Sequence, residues 1–172
     1  EVKMSHSTEH YMRLYLEVKK GSKRTDESLK NIGYISHCKS CLHRQTSHGL
    51  ASPIGETCPV CGEKLVHAGP LWLGDIHDGE FIQKMICEAD NKKINTEKDA
   101  LKLLNKCLAE ADAPTTYYDV HNICKSLKIS APKFDLILNK LEENGFKAIR
   151  THYNPIGIKT DAGIADIKNI LI

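Results

Sequence analysis

The sequence predicts an α+β fold, and three observations carry the prediction. The segment "HYMRLYLEVKKG", residues 10–21, alternates strictly: Met12, Leu14, Leu16 and Val18 share one face, while Tyr11, Arg13, Tyr15 and Glu17 share the other. Two Cys-x-x-Cys pairs, Cys38 with Cys41 and Cys58 with Cys61, stand sixteen residues apart. The last third runs helix, tight turn, helix and β-hairpin, after an earlier helix, which is the order of a winged helix.

Each element has a local reason. After the first strand, "GSKRTDES" is a polar turn, and "NIGYISH" is a strand leading into the first cysteine pair. "KLVHAGPLWLGDIHD" gives a short strand and then a Gly-Pro-interrupted loop holding Trp72. Asp78 caps a helix whose apolar face is Phe81, Ile82, Met85, Ile86 and Ala89. Thr96 with Asp99 resembles a capping box for the next helix, with Leu101, Leu104, Leu108 and Ala111 inward. Val120, Ile123, Cys124 and Leu127 mark a helix capped by Thr116. Ser130 caps the following helix, with Pro132 in its first turn and Phe134, Ile137, Leu138 and Leu141 along one side up to Gly145. "FKAIRTHYNPIGIKT" reads as a hairpin around Asn154-Pro155, and Ile164, Ile167 and Leu171 form a short amphipathic tail.

Composition narrows the class. A hydrophobic fraction of 41% and a charged fraction of 27% suit a soluble globular protein. The sequence shows no membrane-length apolar run and no signal-peptide pattern, so a cytoplasmic location is expected. The chain starts at Glu1 beside a strand-like segment, as expected of a piece of a longer polypeptide. Residues 1–67 carry ten Lys/Arg against seven Asp/Glu, 68–119 six against ten, and 120–172 eight against five. Two mildly basic ends around an acidic middle suit a polyanion partner without requiring one.

A Cys-x-x-Cys turn delivers two thiolates from one backbone knuckle, and two such turns complete the tetrahedral shell of a structural zinc ion. Cys38, Cys41, Cys58 and Cys61 are therefore the expected metal ligands, with Pro59 and Gly62 shaping the second knuckle. The alternatives are a redox pair, which needs a βαβ setting, or two disulfides, which need an oxidising compartment. His37, His43, His48 and His67 lie close enough to replace a cysteine. Four thiolates leave no open position for water, so this zinc is a staple and not a catalyst. Cys107 and Cys124 fall on apolar helical faces as small hydrophobes, and Cys87 has no assigned role.

In the last third, Arg150, His152 and Lys159 gather around the hairpin turn, with Lys125 and Lys133 in the preceding helices. These are the candidate RNA contacts, since cations on a hairpin can reach a phosphate backbone. A solvated face with ordinary lysine density is the competing reading. No catalytic or cofactor-binding residue is assigned.

Taken together, "EHYMRLYLEV", "NIGYISHCKSC…CPVCG", "AGPLWLGDIHD", "YYDVHNICKSL" and "RTHYNPIGIKTD" resemble the C-terminal half of the tRNA (guanine-26-N2) dimethyltransferase family, over roughly residues 9–162. The resemblance implies a parent enzyme that places two methyl groups from S-adenosylmethionine on the exocyclic N2 of a tRNA guanine. It also implies that this cofactor is held elsewhere, by an N-terminal methyltransferase domain of the same polypeptide, leaving this portion inactive by itself. The strands at 11–18 and 32–37 would then be the last antiparallel strands of a truncated methyltransferase sheet. The expected domains are 1–37 for those strands, 38–67 for a zinc ribbon inserted on them, 68–95 for a connecting segment with a helix, and 96–172 for a winged-helix-like C-terminal domain. Expected partners are tRNA and the catalytic domain, with no membrane. A zinc-ribbon, winged-helix regulator that binds DNA is the alternative, and the upstream amphipathic strand argues against it.

Overall fold

The structure is a computed structural model and describes residues 1–8, 10–92 and 97–172. The Thr96 capping box and the boundary between residues 95 and 96 lie outside the described residues. The chain divides into two compact units that interleave in sequence. One holds residues 1–17, 75–162 and Leu171, and the other holds 18–74, 163–170 and Ile172.

In the first unit, β1 (Val2–Thr8) and β2 (Tyr11–Leu16) pair antiparallel as a two-stranded ribbon, from Val2 opposite Leu16 to Thr8 opposite Tyr11. Met4 from β1 enters a core with Ile82 of α2 (Gly79–Asn91) and with Leu104 and Cys107 of α3 (Glu97–Ala109). Tyr15, Phe81, Met85, Ile86, Leu103 and Leu108 close around it. The apolar face of β2 points the other way, with Met12 81%, Leu14 62% and Leu16 59% exposed. Asp78 caps α2 by accepting from the Phe81 N–H at 3.0 Å, and Lys3 Nζ donates to its other oxygen at 2.7 Å.

The same unit continues through β6 (Tyr118–Asp119), α4 (Val120–Leu127), α5 (Phe134–Glu143), β7 (Ala148–Arg150) and β8 (Gly157–Thr160). The three strands form an antiparallel sheet in the order β6-β8-β7. Val120, Ile123, Ile137, Leu141 and Ile158 are buried, as the helical and strand periodicities predict. The caps differ from expectation. Asp119, not Thr116, caps α4 by accepting from Asn122 N–H, and α5 starts after Lys133, beyond Ser130 and Pro132.

The second unit is built on β3 (Ile32–Cys38), flanked by β4 (Arg44–His48) and β5 (Leu65–Trp72), in an antiparallel sheet of order β4-β3-β5. Trp72 is the last residue of a strand, not part of a loop. The expected turn at 21–28 is instead α1 (Ser22–Lys30), a helix with no buried residue, and the tail is α6 (Ile164–Leu171). Among the described residues, no helix is long and apolar enough to cross a membrane.

The α+β class stands, but the architecture expected within it does not. Among the described residues, β2 pairs only with β1, and β3 only with β4 and β5, so 11–18 and 32–37 do not share a truncated methyltransferase sheet. Nor do the residues after 96 close into a winged-helix-like C-terminal domain. Residues 97–162 belong with 1–17 and 75–92, and 163–170 belong to the other unit.

Gly33 sits where β3 runs closest to β4. A Cβ there would lie 2.2 Å from Ser47 O and 2.9 Å from His48 Cα. Gly33→Ala is expected to force β4 off β3 and to destabilise the chain by about 3 kcal/mol, read as a shifted urea midpoint. A midpoint equal to that of the unsubstituted chain would contradict this packing.

Candidate metal centre

The metal-ligand candidates sit on two matching knuckles. In the first, Cys38 N–H donates to His43 O at 2.9 Å and Leu42 N–H donates to Cys38 O at 3.0 Å. In the second, Cys58 N–H donates to Glu63 O at 2.7 Å and Gly62 N–H donates to Cys58 O at 2.9 Å. The same residue of each turn is left-handed, Leu42 at φ 69° and Gly62 at φ 77°. Glycine takes that conformation freely, whereas leucine adopts it at a cost, so the fold imposes the first knuckle.

These turns bring the four sulfurs within 4.8 Å of one another, with Cys38 to Cys61 at 3.4 Å and Cys41 to Cys58 at 3.5 Å. Disulfide sulfurs stand about 2.0 Å apart, so these are separate thiols. Ligands about 2.3 Å from a tetrahedral ion stand about 3.8 Å from one another, a spacing this cluster fits. A backbone N–H from Cys41 draws the Cys38 thiol down to about 7, while burial pushes Cys41 up to about 12. A divalent cation would stabilise all four thiolates together. Four soft ligands around zinc close its shell, so such a site can clamp the chain but cannot activate water. His67 is engaged with Ser36, its Nδ1 2.9 Å from the hydroxyl. Lys168 of α6 donates to Cys41 O at 3.1 Å, tying the tail of the chain to the first knuckle.

The candidate RNA contacts divide. Lys125 and Lys133 are exposed. Arg150 is partly exposed, donating to Asp135 at 2.6 Å with its guanidinium 4.2 Å above the Phe134 ring. His152 and Lys159 do not face solvent, which corrects their expected role as phosphate contacts. Both turn inward to Glu110, a buried carboxylate at the end of α3. Lys159 Nζ lies 3.0 Å from Glu110 Oε2, and the Thr151 hydroxyl donates to the same oxygen at 3.1 Å. Glu110 Oε1 accepts from the His152 backbone N–H and lies 2.8 Å from His152 Nδ1. Burial alone would raise the Glu110 carboxyl, but the His152 hydrogen bonds and the Lys159 charge outweigh it and hold the group at about 2. Sequence reading missed Glu110 because nothing in residues 105–115 marks it as different from a surface acid.

Comparison with known proteins follows from this geometry. The family model described as "TRM: N2,N2-dimethylguanosine tRNA methyltransferase" matches residues 1–172. A tRNA (guanine(26)-N(2))-dimethyltransferase of Methanobrevibacter smithii is 64% identical over 171 residues, covering 99% of this chain and 44% of that protein. The Methanothermobacter thermautotrophicus protein of the same name is 49% identical over 170 residues, again covering 99% of this chain and 44% of its own length. A solved structure described as "Complex structure of Trm1 from Pyrococcus horikoshii with S-adenosyl-L-Methionine" superposes with a TM-score of 0.84 at 32% identity. That match covers 99% of this chain and 43% of the other. The chain thus spans less than half the length of the relatives it matches. The likeness of nearly the whole chain to part of one solved methyltransferase also overturns the expected separate winged-helix region.

Two outcomes test the geometry. Cys58→Ser is expected to lower bound zinc and the melting temperature together, because metal binding is coupled to folding. Elemental analysis and a thermal melt on one preparation read both, and a melt unmoved by complete chelation would refute the clamp. Lys159→Met leaves the Glu110 carboxylate buried without its cation and is expected to cost about 3–5 kcal/mol in urea unfolding. Adding Glu110→Gln should return part of that loss.

Proposed function

We propose, because this chain belongs to the N2,N2-dimethylguanosine tRNA methyltransferase family, that it is the tRNA-engaging part of an enzyme that dimethylates the exocyclic N2 of guanine-26. The observation that carries this reading is the match of residues 1–172, end to end, to that family. The remaining length of the longer protein would bind S-adenosylmethionine, which supplies the methyl groups in this chemistry. By itself the chain would then be inactive.

The chemistry explains why a separate grip is useful. The exocyclic amine of guanine is a weak nucleophile held inside a base pair, so it must be extruded and aligned before it can react. Alignment of that kind is lost when the substrate is displaced by an ångström, so a firm hold on tRNA away from the reacting atoms contributes to rate. The four-cysteine centre is suited to hold zinc as a brace for that grip. Lys125 and Lys133 present free cationic ends to a phosphate backbone, and Arg150 adds a guanidinium already oriented by Phe134 and Asp135. The cytoplasm, where tRNA is processed, is the corresponding location.

The test uses the longer polypeptide, tRNA and labelled S-adenosylmethionine. Lys125→Glu with Lys133→Glu is expected to raise KM for tRNA about tenfold with little change in kcat, and to flatten the salt dependence of binding by about one unit per lysine. Unchanged KM and salt slope would remove these lysines from the interface. Tighter binding of duplex DNA than of tRNA would favour the regulator reading instead.

A further inference from the structure

A second set of metal-ligating side chains lies in the first compact unit, which does not contain the four cysteines. His77 stands just ahead of α2, where it bridges to Met4 of β1. Cys107 is on α3 and His152 follows β7. One ligand atom from each lies within 4.8 Å of the others.

The polar bonding of this cluster is incomplete in a telling way. His77 is only 4% exposed, and neither of its ring nitrogens has a hydrogen-bond partner. His152 Nε2 is buried and unpartnered as well. Leaving a buried polar atom unsatisfied is costly, and native structures rarely tolerate several side by side. An ion accepting nitrogen lone pairs removes that cost.

The surroundings match such an ion. His152 Nδ1 lies 2.8 Å from Glu110 Oε1, and a proton donated to that carboxylate would leave Nε2 with a lone pair for an ion. A carboxylate behind an imidazole in this manner is the usual support of a metal-bound histidine. Glu110 is itself held by Lys159 and Thr151, so the support is rigid.

We propose that His77, Cys107 and His152 bind a transition-metal ion of the zinc class, pinning the start of α2, the body of α3 and the end of β7 to one another. Two imidazoles and one thiolate are a borderline-soft donor set that suits zinc better than magnesium or calcium. The three atoms, all within 4.8 Å of one another, would draw together to bind one ion at bonding distances of about 2.0–2.3 Å. An entering ion would displace one proton from the Cys107 thiol as the metal–sulfur bond forms.

The experiment is a metal count on the 172-residue chain saturated with zinc and dialysed, repeated for Cys107→Ala, His77→Gln and Cys58→Ser. Expected is a second ion per chain, lost in Cys107→Ala and in His77→Gln while the ion at the four cysteines remains. Cobalt substitution gives an independent reading. The Cys58→Ser chain should retain a cobalt–thiolate band of about a quarter the intensity expected of a four-thiolate site, and this band should vanish when Cys107→Ala is added. A single ion in the unsubstituted chain that survives Cys107→Ala would overturn the second site and leave the first. A single ion lost in Cys107→Ala but kept in Cys58→Ser would support the second site and overturn the first.

Discussion

A carboxylate taken out of water must be matched at close range, and Glu110 is where this fold meets that demand. An ion moved into a protein interior carries a penalty of several kcal/mol unless charge and hydrogen bonds replace its hydration. Here Lys159, the Thr151 hydroxyl and His152 provide the replacement, and each belongs to the β7–β8 hairpin or its edge. The end of α3 and the hairpin are therefore fixed to each other by geometry as well as by apolar contact. The positions of Cys107, one turn earlier on α3, and of His152 follow from this one constraint.

The same interaction explains what the sequence misrepresents. Cations around a hairpin turn read as surface groups, because lysine and histidine are seldom buried without a partner. The partner lies 42 residues upstream of His152, beyond the reach of any local pattern. Lys125 and Lys133 are exposed as expected. Distance along the chain, more than residue type, separates the legible contacts from the illegible ones.

Secondary structure follows a similar division. α2, α4 and α5 announce themselves through apolar residues at helical spacing, and each buries at least one of them. α1 carries no apolar stripe and buries nothing, so its composition is indistinguishable from that of a turn. The four-cysteine cluster was fully legible in sequence, since each knuckle is a local motif and only their meeting needed the sheet. His77, Cys107 and His152 come from three separate elements with no shared spacing, and only folding assembles them. β2 is harder in another sense: alternation marks a strand without saying which side faces inward. Tyr15 packs onto the core, while the aliphatic side of β2 is left uncovered.

That uncovered side governs how the chain behaves in solution by itself. Among the described residues the far edge of β2 pairs with no strand, and with Met12, Leu14 and Leu16 toward water it offers both backbone hydrogen bonds and greasy surface to any neighbour. Purified in isolation, the polypeptide is expected to self-associate increasingly as concentration and salting-out anions rise.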